Sequence, residues 1–141
     1  MSLELHLRVV GLMLFALLGL NFVLPRRFNW REELARLSLF NRQIFLVHAM
    51  FIGLILAMFG ALSLLYAPLL LEPAPLARVV LTGLALFWGV RLLVQWFVYD
   101  PRLWRGKRFE TAVHVVFSAV WIYFASTYAA ALWVNLRGGA S

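Results

Sequence analysis

The chain has 141 residues, 64% of them hydrophobic and 13% charged, where a soluble globular domain carries about a quarter charged residues; this excludes a domain built for water and makes lipid the solvent of the fold. The absence of cysteine excludes disulfides, thiolate metal sites and thiol nucleophiles. A formal net charge of +7 raises nucleic acid as a partner, and the placement of the basic residues decides against it.

The first apolar run, residues 9–24, is short for a bilayer core of ~30 Å, which takes roughly 17–25 residues. It borrows the turns before it, so the first span is expected over about residues 5–24, with Arg8 snorkelling toward the head groups. Glu4 beside Arg8, and Pro25-Arg26 where a small-residue cleavage site would stand, mark it as a retained span and not a signal peptide. In the loop that follows, Asn29 is a candidate N-cap with Glu32 three residues on. Trp30, Leu34, Leu37 and Phe40 form an apolar stripe, which predicts an amphipathic helix lying in the interface over residues 30–41. The second span covers about residues 44–67. Pro68, Glu72, Pro73 and Pro75 act as a breaker before the third, at about 76–99. Asp100 can cap a turn begun by Pro101 and ended by Gly106, with Trp104 anchored at head-group level. The fourth span takes about residues 111–135. The fold expected is all-α: a single integral-membrane four-helix bundle running up-down-up-down.

Of the thirteen basic residues, nine lie in the loops after the first and third spans (Arg26, Arg27, Arg31, Arg36 and Arg42; Arg102, Arg105, Lys107 and Arg108), and three (Arg8, Arg78 and Arg137) flank the opposite ends. This is a positive-inside pattern, which predicts both loops cytoplasmic and both termini outside. Membrane lipids are then the natural partner of the charge and nucleic acid is not. The Arg- and Leu-rich composition points to a bacterial cytoplasmic membrane.

The second span begins with Arg42, His48 and Phe51 and the fourth with Arg108, His114 and Phe117, both spelling R-x5-H-x2-F with Val before the His. The pattern fits a duplicated helical hairpin with a pseudo-two-fold axis along the membrane normal, making His48 and His114 symmetry mates. Each histidine lies about 9 Å along its helix from its arginine. Arg91 and Gln95, one turn apart on the third span, share a face with Trp88 and Tyr99. On the fourth span Ser118, Trp121, Ala125 and Tyr128 follow His114 at helical spacing, so His114 is expected to point inward. His48 is less favourably placed, because Gly53, Ala57 and Gly60 form a packing stripe on roughly the opposite face.

Ionisable groups within a bilayer are costly and mark function by default. His48, Arg91, Gln95 and His114 are therefore the candidate cofactor-binding residues, with His48 and His114 as candidate metal ligands. Three functions fit them: a b-type haem ligated by the two imidazoles; a cofactor-free scaffold subunit that assembles with other membrane subunits or with itself; or a site for a quinone, isoprenoid or phospholipid head group, with Arg91 as anion clamp and a histidine as proton carrier. Glu110 and His114 at i, i+4 make a weak metal pair. Glu110 is more simply a first-turn acid, and His6 a solvated interfacial residue.

Overall fold

The computed structural model describes residues 1–138, with no strand among them. In chain order the helices are α1 (Leu3–Arg27), α2 (Trp30–Ala35), α3 (Leu39–Leu65), α4 (Ala67–Leu71), α5 (Pro75–Phe97) and, after a 3-10 turn at Pro101–Leu103, α6 (Arg108–Gly138). Helices α1, α3, α5 and α6 are long and apolar enough to cross a membrane. In hydrocarbon every backbone polar group needs an internal partner, which a helix provides. The chain has the makings of a membrane protein, as its composition predicts.

The described residues form two compact units, Leu7–Ala67 and, separately, Met1–His6 with the chain from Pro68 onward. Within the first, α1 and α3 run antiparallel. Gly11 of α1 lies against Gly60 and Leu64 of α3, and Leu18 and Asn21 lie against Gly53. The Asn21 amide donates to the Ala49 carbonyl at 3.3 Å, and Arg8 donates to Leu64 O at 3.1 Å, satisfying a carbonyl in the last turn of α3. Gly53 and Gly60 are buried, so the small-residue stripe read from the sequence is the packing face of α3.

In the second unit α5 and α6 pair antiparallel along their length. Trp88 stacks on Trp121 with ring centroids 5.2 Å apart and meets Phe124 edge-on at 5.0 Å. At the far end Asn135, 1% exposed, accepts from Arg78 Nε at 3.0 Å and donates to the carbonyls of Leu70 and Glu72 at the end of α4. It supplies the partner that a helix C-terminus lacks.

Several local expectations are corrected. The interfacial helix predicted over residues 30–41 is the six-residue α2 alone. Asn29 does not cap it with its side chain, because it adopts the left-handed conformation (φ 50°). Its carbonyl instead accepts from Glu32 N and Glu33 N. Ser38 then restarts the chain, its hydroxyl accepting from Asn41 N, so Leu39, Phe40 and Asn41 are the first turn of α3. The breaker between the second and third spans contains the short helix α4. His6 is not simply solvated: its Nδ1 lies 2.7 Å from the Tyr123 hydroxyl.

The turn after α5 matches its reading. Asp100 accepts from Arg102 N, Pro101 opens the turn, and Gly106 takes φ 80°. The Arg102 side chain and then its backbone N–H hold the Asp100 carboxyl below its usual value, with desolvation opposing.

Candidate functional site

Helix α5 puts Arg91 and Gln95 one turn apart, and the antiparallel α6 brings His114 and Trp121 against them. Gln95 is the hub and is 7% exposed. Its Oε1 accepts from Arg91 Nη1 at 3.3 Å and from Trp121 Nε1 at 3.2 Å, while its Nε2 lies 2.9 Å from His114 Nδ1. A guanidinium and an indole can only donate, so the amide oxygen must face them and the amide nitrogen must face the histidine. His114 Nδ1 therefore accepts. The imidazole is neutral, with its proton on Nε2, and presents an N–H donor.

Arg91 is half-buried. Its guanidinium lies 4.8 Å from the centroid of the Trp121 ring and 5.6 Å from that of Tyr99. No carboxylate pairs with it among the described residues. Trp104 folds back from the loop so that its indole stacks on His114, centroids 4.4 Å apart at 11°. Thr111 Oγ1 donates to the Trp104 carbonyl at 2.6 Å and ties the loop to the first turn of α6. The Trp104 and Trp88 indole N–H groups are buried with no hydrogen-bond partner among the described residues. The polar groups the cluster leaves unused are thus donors: the rest of the Arg91 guanidinium, His114 Nε2–H and the buried Trp104 Nε1–H.

Three of the four sequence candidates, Arg91, Gln95 and His114, meet in this cluster. His48 belongs to the other compact unit, is exposed, and donates from Nδ1 to Ile44 O of its own helix at 2.8 Å. Its neighbours differ from those of His114, whatever the repeat in the sequence. Trp121, expected on the His114 face, and Trp104, expected only as a head-group anchor, complete the cluster. The signal for both is spacing. Trp121 is seven residues beyond His114 and hence on its face, and Trp104 is one short loop before α6.

No family model, curated protein or solved structure matches the chain. Its chemistry has to come from the donors themselves. Among the described residues no group of three or more His, Cys, Asp or Glu side chains is placed to hold a metal ion, and Glu110 with His114 acquires no third ligand.

Proposed function

We propose that this is a membrane protein that binds an acidic amphiphile, a phosphate or carboxylate carried on a hydrocarbon tail, through the α5–α6 cluster. Arg91 is the charge partner and His114 Nε2–H a fixed donor. The observation that carries this is a guanidinium in cation–π range of two aromatic rings, within a helix apolar enough to span a membrane, with no carboxylate beside it among the described residues. A charge at the centre of a spanning helix costs about 2.5–3.5 kcal/mol on insertion scales, an upper bound for Arg91 nearer the end of α5. The ring faces return about 0.5–2 kcal/mol each. An anionic oxygen adds the charge partner that neither the rings nor the Gln95 amide supplies, and accepts from the histidine as well. An uncharged quinone would satisfy the donor but not the charge. With the positive-inside orientation the site opens in the cytoplasmic leaflet.

A b-type haem held by His48 and His114 would need an unprotonated Nε2 on both. His48 meets that requirement through its bond to Ile44 O, but the Gln95 amide puts the His114 proton on Nε2, and for this reason we favour the amphiphile. A scaffold subunit in contact with other membrane proteins would need the packing bonds, but these give no reason for a guanidinium with no carboxylate beside it among the described residues.

Native mass spectrometry of protein purified in mild detergent tests the proposal. The chain is offered anionic phospholipid, an isoprenyl phosphate or a fatty acid in turn, and the retained species identifies the source of the acidic group. Arg91→Leu is expected to reduce its retention at least tenfold, equivalent to about 1.4 kcal/mol. Equal retention by a folded Arg91→Leu variant contradicts the proposal.

A further inference from the structure

The unit formed by Leu7–Ala67 holds a cavity of about 880 Å³ between α1, α2 and α3, near the upper end of the roughly 300–1,000 Å³ typical of small-ligand sites. Its walls are largely apolar, with Leu18 and Phe22 from α1 and Leu46, Met50 and Leu54 from α3. Two cations, Arg31 of α2 and Arg42 of the first turns of α3, line it, and no acidic residue does among those described. Helix α2 covers it without filling it. No residue of α2 is buried, and six residues are too few for a helix to persist on propensity alone. The ring contact of Trp30, edge-on to Phe45 at 5.0 Å, fixes one end of α2. Arg31, Leu34 and Ala35 line the cavity.

We infer that this cavity is a binding site for an anionic phospholipid of the surrounding bilayer. The phosphate-bearing head group pairs with Arg31 and Arg42, and acyl chain lies along the α1 and α3 walls. Arginine forks match phosphate oxygens in bidentate geometry. Met50 and Leu54 of this apolar wall are exposed as well, so a spanning α3 presents them to hydrocarbon. The lipid is the packing partner that α2 lacks within the protein. This site shares no residue with the Arg91 cluster and stands whether or not that cluster binds an amphiphile.

The test uses the full chain in nanodiscs of phosphatidylcholine or of phosphatidylglycerol, with hydrogen exchange read at the amides of residues 30–37. Two basic contacts to anionic lipid predict protection about tenfold or more higher in phosphatidylglycerol. Arg31→Gln with Arg42→Gln is expected to abolish the difference, and Arg91→Leu to preserve it. Equal protection of the unaltered chain in the two lipids, or a difference that survives the double substitution, overturns the inference. The comparison of lipids on the unaltered chain requires no variant to fold.

Discussion

Changing Gln95 to leucine is expected to lower the unfolding free energy in mild detergent by about 2–5 kcal/mol, from three hydrogen bonds at roughly 0.6–1.7 kcal/mol each in a membrane. Gln95 is buried, and its amide joins Arg91, Trp121 and His114. Leucine has similar bulk and leaves all three partners without their shared acceptor and donor, a costlier state than never having buried them. Reversible denaturant unfolding measures the change. Glutamate at the same position separates charge from bonding, because it retains the acceptor for Arg91 and Trp121 and neutralises the guanidinium. Gln95→Glu should therefore recover part of the loss while displacing an acidic ligand. A leucine variant within about 0.5 kcal/mol of the parent, the range of ordinary surface changes, would show that the amide is not the hub.

The second large effect is expected at Gly11. A Cβ there would stand 2.7 Å from the Leu64 nitrogen and 2.9 Å from the Gly60 carbonyl oxygen. These are backbone atoms that cannot turn aside as a flexible side chain can. Gly11→Ala must push α1 and α3 apart, at a cost of about 1–3 kcal/mol or more from overpacking. It also loosens the walls of the cavity under α2. Gly83→Ala is the matched control, since nothing lies within 4 Å of the Cβ position. It should be neutral or stabilising by up to about 1 kcal/mol, the helix-propensity gain. The same unfolding experiment compares the two, and equal effects would contradict the close approach of α1 to α3.

The four long helices were legible because hydrocarbon imposes one solution on an apolar run of this length. The face of α6 was legible too, since His114, Ser118, Trp121 and Tyr128 follow helical spacing, and Trp121 and Tyr128 are buried. What failed was local. Trp30, Leu34, Leu37 and Phe40 have the period of one helix, but period alone does not reveal that Asn29 turns left-handed or that Ser38 starts a new helix. The pairing of His48 with His114 rested on a repeated spacing, and spacing along a chain carries no information about which groups meet across it. Arg91 and Gln95 at i, i+4 were readable as neighbours on one turn. That Gln95 orients a histidine on another helix was not readable, because the bond depends on the register of α5 against α6. The cavity under α2 was hidden for a related reason: it is bounded by residues of three elements and filled by none.

The tautomer of His114 is the most direct measure of whether the cluster presents donors. Nitrogen-15 NMR of selectively labelled histidine, assigned with His114→Gln, distinguishes the two ring nitrogens. The expected result is a neutral imidazole with the proton on Nε2 and an acceptor shift at Nδ1 that changes in Gln95→Leu. A proton on Nδ1, or on both nitrogens, would contradict it.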